Sequence, residues 1–140
     1  MKTRILTALL FIFWGMLQAQ SPIGVWKTVD EKNGRTKGQI EFFEKDGMLF
    51  GKVLKLSNDT LNHICTACPG ERRGQRMLGM ILMENLRYKD GYWQDGRVLS
   101  PKQGKWYELR IWLEPNNPNV LVLRAYWGLL YRTQKWIRVK

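Results

Sequence analysis

The sequence predicts an all-β protein in which an antiparallel meander of about eight strands closes into a small barrel. Short segments alternate apolar and polar residues with a period of two, and clusters of Gly, Asn, Asp and Pro separate them. No amphipathic helix is long enough to form a βαβ unit. Gly24-Val25-Trp26 opens the first strand and Trp136-Ile137-Arg138 ends the last one. We therefore expect the two ends of the meander to meet and close the sheet.

The first nineteen residues are typical of a cleaved signal peptide. Lys2 and Arg4 precede an apolar run over 5–17, and Leu17-Gln18-Ala19 provides a cleavage signal. This run is too short to cross a hydrocarbon core roughly 30 Å thick. We therefore expect 1–19 to be removed, and 20–140 to form one barrel domain that is periplasmic or secreted and does not span the membrane.

The net charge narrows the choice of partners. The chain carries 23 Lys and Arg against 12 Asp and Glu, a formal charge of +11, and loss of Lys2 and Arg4 leaves +9. Export places nucleic acid out of reach, so a small anionic or lipid-like ligand or an envelope protein is the expected partner. Because the cations are spread along the chain, an ordinary solvated basic surface is the competing interpretation.

The elements follow in order from the alternation and the turn residues. Asn33-Gly34, Asp46-Gly47, Asp90-Gly91 and Asp95-Gly96 predict turns, as does the segment 115–119. A loop of 19 residues over 57–75 interrupts the meander, and loops of this length tend to be functional or crosslinked. The predicted strands are 23–29, 39–44, 48–56, 76–86, 92–93, 97–99, 105–114, 120–127 and 131–139.

Two cysteines lie in the long loop. Cys65 and Cys68 readily pair in an oxidising compartment. A thiol–disulfide role would use Arg72 and Arg73 to lower a thiol pKa, but Pro69 argues against the helix on which such motifs sit. A metal site would recruit His63 and would lack a fourth ligand, so we expect no metal and no cofactor. The interpretations are therefore a loop-pinning disulfide, a thiol–disulfide site and a metal site.

Several segments carry a family resemblance over nearly all of 20–140. They are Gly24-Val25-Trp26, Gly51-Lys52-Val53, Cys65-Thr66-Ala67-Cys68-Pro69-Gly70, the segments 96–101 and 104–107, Leu123-Arg124-Ala125-Tyr126-Trp127-Gly128 and the segment 132–138. The chain resembles the exported bacterial domain-of-unknown-function family 2147, which is lipocalin-like. The resemblance implies a lipocalin-like, calycin-type barrel and no known activity. Ser100, Ala125 and Tyr131 depart from the expected pattern.

One candidate ligand site combines two strands. Arg110 and Trp112 share one face of a strand, and Arg124 and Tyr126 share a face of the next. A guanidinium and a phenol inside an aromatic-lined barrel would hold a carboxylate or phosphate. The competing interpretation is that these arginines point outward or stack on tryptophan.

A second set of residues is predicted to be structural. We expect Gly24, Trp26, Trp136 and Arg138 to close the barrel, with a tryptophan ring under a guanidinium.

The motifs of the common hydrolases, metalloproteases and phosphate-binding enzymes are missing from the sequence. We therefore expect no enzyme. The leading hypothesis is binding of a small anionic or amphipathic ligand in the barrel. The alternatives are a filled barrel that contacts another envelope protein, and a thiol–disulfide protein.

Overall fold

A computed structural model describes residues 21–30, 32–57 and 63–140. The predicted signal peptide therefore lies outside the described residues. Within them, eight strands and one short 3-10 helix, Gly70–Arg72, make up the regular structure. The strands are β1 Gly24–Val29, β2 Thr36–Lys45, β3 Met48–Leu56, β4 Ile81–Lys89, β5 Tyr92–Ser100, β6 Lys105–Glu114, β7 Asn117–Trp127 and β8 Leu130–Arg138. No helix in these ranges is long and apolar enough to cross a membrane.

The sheet closes as the sequence predicts. Each strand pairs antiparallel with the next, and β1 pairs with β8 through Trp26 opposite Arg138 and Lys27 opposite Ile137. Hydrogen bonds of Val25 with Val139 and Lys140 extend this β1–β8 seam. The predicted eight-stranded antiparallel barrel is thus confirmed, and one face of each strand supplies the enclosed core.

The predicted turn at Asp95-Gly96 is wrong. β5 runs unbroken from Tyr92 to Ser100, and the register with β6 shifts between Trp93 and Gly96, which marks a β-bulge. Asp95 takes a positive φ of 62° there. A Cβ on Gly96 would lie 2.4 Å from the Glu84 carbonyl oxygen, so glycine is required where β4 crosses closely. The Asp-Gly signal therefore reports a bend within a strand.

Two further boundaries differ from the prediction. The turn after β6 is limited to 115–116, and β7 already begins at Asn117. Pro118 is tolerated there because the regular β7–β8 pairing starts only at Val120. The segment 76–80 belongs to the long loop, and β4 begins at Ile81.

The up-and-down order gives the barrel two unlike ends. We call the end that carries the connections 30–35, 57–80, 101–104 and 128–129 the open end. The closed end carries the hairpin turns 46–47, 90–91 and 115–116 and the segments 21–23 and 139–140. Large side chains with almost no exposure fill the barrel on the side of the closed end: Trp26, Phe42, Leu49, Leu86, Ile111 and Leu121.

Candidate ligand-binding cavity

A cavity occupies the half of the barrel next to the open end. It has two adjoining lobes of about 800 Å³ and about 570 Å³. Met83, Leu99 and Trp136 line both lobes, so the lobes share a common wall. Volumes of this size fall within the range that encloses a drug-sized ligand. The barrel is thus filled at one end and hollow at the other.

The deep wall of the cavity is apolar. Eight strand residues that face inward form most of it, and all are buried: Ile40, Val53, Leu82, Met83, Leu99, Leu109, Leu123 and Trp136. Transfer of an alkyl chain from water to such a wall is favourable by about 25 cal/mol per Å² of apolar surface buried.

The side-chain amide of Gln134 is a polar group in this wall, and a hydrogen bond fixes its orientation. The indole N–H of Trp136 donates to Oε1 of Gln134 at 3.2 Å. Since an indole N–H can only donate, the amide oxygen of Gln134 must face it. The amide NH₂ of Gln134 is then a hydrogen-bond donor in the wall that lines both lobes.

The wall becomes basic toward the open end. Lys37, Lys55 and Lys102 line the larger lobe, and Lys105 and Arg132 line the smaller one. Among the described lining residues there is no Asp or Glu. Hence a carboxylate or phosphate at the mouth would meet several cations, of which Lys37 already contacts Asp30 at 3.6 Å.

The loop with the two cysteines forms part of the mouth. Cys65 and Cys68 are bonded to each other, as one of the sequence interpretations predicts, and both are buried against the core. His63, Cys65 and Ala67 line the larger lobe. A Cβ on Gly104 would lie 1.9 Å from the Ala67 carbonyl oxygen, so the loop presses directly on the β5–β6 turn.

An ion-pair cluster outside the barrel holds the far side of this loop. Arg72 and Arg97 both contact the Glu84 carboxylate, at 3.1 Å and 2.7 Å. Their guanidinium carbons also lie 4.9 Å and 3.9 Å from the centre of the Trp106 ring. Because Glu84, Arg97 and Trp106 belong to the barrel wall, Arg72 ties the loop to that wall.

Two observations concern the other interpretations of the cysteine loop. No group of three or more His, Cys, Asp or Glu in the described ranges is arranged to hold a metal ion. His63 is exposed at the mouth, and Arg73 donates to the Cys68 carbonyl oxygen at 3.3 Å rather than to a sulfur.

The four residues of the predicted ligand site lie together, but on the outer face of the barrel. Arg110 pairs in register with Arg124, and Trp112 with Val122, while their neighbours Leu109, Ile111 and Leu123 face the core. The expectation that this set lines the interior does not match this register. The inner face of β6 carries the aliphatic residues instead.

The outward arginines stack on aromatic rings. Arg110 lies 5.0 Å from the Tyr92 ring centre, and Arg124 lies 5.3 Å from that of Trp112 and 4.4 Å from that of Tyr131. A shallow groove of about 100 Å³ beside Arg110 and Tyr126 also includes Glu108, whose carboxylate would repel an anion.

The residues predicted to close the barrel meet at the closed end. The Arg138 guanidinium lies 4.3 Å from the Trp26 ring centre. It donates to the carbonyl oxygens of Ser21 at 2.8 Å, Ile23 at 3.1 Å and Pro118 at 3.3 Å. Burial lowers the pKa of Arg138, but an arginine remains charged at any physiological pH.

The other two members of this set have different roles. Trp136 packs on Phe42 with ring centres 6.2 Å apart and forms the floor of the cavity. Gly24 has a φ of 135°, and a Cβ there would lie 2.5 Å from the Lys140 carbonyl oxygen. Gly24 thus allows the last residue of the chain to pack against the first strand.

The basic residues of the mouth were missed in the sequence. Lys55, Lys102 and Lys105 flank turns, where a lysine is ordinarily a solvated surface residue. The sequence does show that several lysines border connections, and an up-and-down meander places those connections at the same end of the barrel. To predict a ligand site from this pattern, one must also know which end is hollow, and the alternation of apolar and polar residues does not give that information.

Comparisons with known proteins agree with this fold. The sequence profile of a family described as "Uncharacterized protein conserved in bacteria (DUF2147)" matches residues 24–138. Among solved structures, the chain is similar to protein HP1028 from the human pathogen Helicobacter pylori, which is described as belonging to the lipocalin family. The TM-score is 0.72 at 18% identity, over 86% of this chain and 84% of that one. No curated protein sequence matches the chain.

Proposed function

This chain belongs to the DUF2147 family of uncharacterized bacterial proteins, and from the geometry of its cavity we propose that the protein binds one anionic amphipathic molecule. The apolar tail lies in the deep cavity, and the acidic head group lies among the lysines of the open end. The observation that carries this proposal is the charge segregation of the cavity wall, which holds Lys and Arg but no described carboxylate.

The apolar part of the proposal follows from the deep wall. A linear or branched hydrocarbon needs no hydrogen-bond partner, and the amide oxygen of Gln134, a polar group in the wall of both lobes, already accepts a hydrogen bond from Trp136. A sugar or nucleotide would place many hydroxyl groups against leucine, methionine and tryptophan without partners, at a cost for each group. The wall thus favours a hydrocarbon over a polar ligand.

The anionic part follows from the mouth. Lys55 and Lys102 line the larger lobe, and within the described residues neither contacts a carboxylate. A carboxylate or phosphate that contacts both would gain two exposed ion pairs, each worth about 0.2–1 kcal/mol. These contacts orient the ligand, and burial of the tail supplies most of the affinity.

This proposal is preferred to a filled interaction module. In a filled barrel, side chains would occupy the interior from one end to the other. Here Trp26, Phe42 and other large side chains fill the interior at the closed end, whereas toward the open end the buried side chains surround two lobes with the volume of a ligand site. We also propose that the protein acts outside the cytoplasm, as the signal-peptide pattern predicts.

Binding of a fluorescent long-chain carboxylate tests the proposal directly. We expect saturable binding of one molecule per chain, with an affinity about tenfold higher than that of the corresponding neutral alcohol. The double variant Lys55→Gln/Lys102→Gln should lose this preference, because about 1.4 kcal/mol of head-group contact corresponds to a factor of ten. Ala125→Trp, which places a large ring in the smaller lobe, should weaken binding of both probes.

A matched control removes the same charge elsewhere. Lys45→Gln/Lys89→Gln alters two exposed lysines at the closed end and should leave both affinities within twofold of the parent. Equal binding of the acid and the alcohol by the parent protein would contradict the anionic head group. An absence of binding for both probes would contradict the ligand cavity.

A further inference from the structure

The hairpin between β7 and β8 exposes an unusual amount of apolar surface at the open end. We define the tip as residues 127–131, Trp-Gly-Leu-Leu-Tyr. Leu129 is fully exposed, with 101% relative accessibility, and Leu130 and Tyr131 are 63% and 57% exposed. Trp127 is 43% exposed and also lines the smaller lobe of the cavity. The tip is thus part of the mouth and projects apolar side chains into solvent.

The tip holds its shape without burying these side chains. Gly128 and Leu129 are the two central residues of a tight turn between the paired residues Trp127 and Leu130. Gly128 has a φ of 62° and Leu129 has no positive φ, which corresponds to the type II′ turn that suits the twist of a hairpin. The edge-on contact between the Tyr107 and Trp127 rings, with centres 5.8 Å apart, braces the base of the tip. The exposed leucines therefore stand on a rigid support.

The excess positive charge lies at the same end of the barrel as the exposed apolar surface. At the closed end the described residues carry Lys45, Arg87, Lys89, Lys135, Arg138 and Lys140 against Glu44, Asp46, Asp90 and Glu114. The described carboxylates at or beside the open end are Asp30, which contacts Lys37 at 3.6 Å, Glu71, Glu84, which contacts Arg72 at 3.1 Å, and Glu108, which is opposite Tyr126. The cations there are Lys32, Arg35, Lys37, Lys55, Arg72, Arg73, Arg76, Lys102, Lys105 and Arg132. The open end, to which the tip belongs, therefore carries a larger excess of positive charge than the closed end.

We propose that the open end docks on an anionic lipid bilayer, with the 127–131 tip inserted at the headgroup boundary and the surrounding cations on the lipid phosphates. Leucine side chains bury favourably at that depth, and tryptophan and tyrosine are enriched at membrane–water interfaces. Lysine and arginine close to an anionic leaflet add electrostatic attraction. In this orientation the mouth of the cavity faces the bilayer.

A bilayer fits the tip better than a protein partner does. A stable protein interface needs a patch of about 800 Å² per partner with complementary polar groups at its rim. The tip is instead a narrow projection with a few large apolar side chains, at an end of the barrel where cations outnumber carboxylates. An interfacial membrane anchor combines apolar side chains that insert among the lipids with cations that contact anionic headgroups, and the tip and its surroundings have both.

Vesicle binding tests the proposal on residues 20–140, which contain the complete barrel and lack the apolar run over 5–17 that would itself bind lipid. We compare vesicles of phosphatidylcholine with vesicles that also contain phosphatidylglycerol, by co-sedimentation. The parent should bind the anionic vesicles at least about tenfold more tightly, and raising the salt to about 1 M should weaken this binding. Leu129→Ser/Leu130→Ser should reduce binding to anionic vesicles by about tenfold.

Two controls make the result specific to the tip. Tyr88→Ser/Ile137→Ser removes exposed apolar side chains of similar size, 64% and 50% accessible, away from the open end and should bind like the parent. Brominated lipid should quench the tryptophan emission of the parent, and Trp127→Phe should lose most of this quenching. Circular dichroism melts of each variant establish that it is folded.

Three outcomes would overturn the proposal. The first is a parent protein that anionic vesicles do not retain, which would remove the bilayer as the partner of the tip. The second is equal binding by the tip variant and the closed-end control, which would indicate adsorption through charge alone. Quenching that persists in Trp127→Phe would place another surface on the bilayer. None of these assays contains a fatty acid, so their failure and the failure of the cavity proposal are distinguishable.

Discussion

Gly104 sits where two backbone segments touch, and its replacement by alanine gives a sharp test of the mouth. The residue has a φ of 66°, and a Cβ there would lie 1.9 Å from the carbonyl oxygen of Ala67. Ordinary contacts of a Cβ begin near 3.4 Å, so the cysteine loop would have to withdraw by about 1.5 Å. Because the obstacle is backbone, no rotation of a side chain relieves the contact.

The expected loss of stability has two parts. The left-handed backbone costs about 1–2 kcal/mol for a residue with a Cβ, and the forced displacement of packed segments costs about 1–3 kcal/mol more. Gly104→Ala should therefore lower the free energy of unfolding by about 2–5 kcal/mol. Gly47→Ala is the matched control, because Gly47 has a φ of 76° and nothing lies within 4 Å of its Cβ position. Gly47→Ala should therefore lose only the cost of the left-handed backbone, about 1–2 kcal/mol.

Urea titration with a shared slope gives both values. A second measurement follows the loop itself, since Cys65 and Cys68 are buried only while the loop is seated. Their disulfide should be reduced by a thiol reagent faster in Gly104→Ala than in the parent or in Gly47→Ala. Equal losses of stability in the two alanine variants would refute the claim that the loop presses on the β5–β6 turn.

The remaining predictions concern the closed end and the disulfide. Trp26→Ala should lower the free energy of unfolding by about 3–5 kcal/mol because the ring is fully buried, and thermal melting checks this; an unchanged midpoint would show that the ring does not seal the barrel. Cys65→Ala/Cys68→Ala, which buries no hydroxyl group, should lose at most roughly 2 kcal/mol through the missing cross-link, because the bond closes a very short loop. In the same melts, a loss for the cysteine variant that exceeds the Trp26→Ala loss would contradict this reasoning.

The architecture could be predicted because period-two alternation and turn residues are local signals. The strands Met48–Leu56 and Lys105–Glu114 have the predicted bounds. Asp95-Gly96 misled the prediction because the left-handed conformation that suits a turn also suits a bulge, and only the crossing of β4 at Glu84 decides between them. Local sequence thus defines where the chain bends and leaves open whether the strand ends there.

The ligand site could not be predicted because alternation separates two faces of a strand without saying which one is inside. In β6 the aromatic and charged face seemed suited to a ligand, and the aliphatic face of Leu109 and Ile111 is the inner one. The outer tryptophans are accommodated because arginines cover them, as Arg124 covers Trp112. Which lysines line the mouth depends on barrel closure, which is a property of the whole chain.

The β1–β8 seam has a consequence for how the barrel assembles. Every other pair of neighbouring strands is consecutive in the sequence. The β1–β8 seam instead joins the two ends of the chain, and Arg138 there donates to the carbonyl oxygen of Ser21, 117 positions away. Bringing such distant segments together costs chain entropy that local hairpins do not incur. We expect the seam to form last during folding, after the hairpins have fixed the curvature of the sheet. Its two registered pairs should accordingly be the first to separate in native-state hydrogen exchange, well before the amides of β6 and β7.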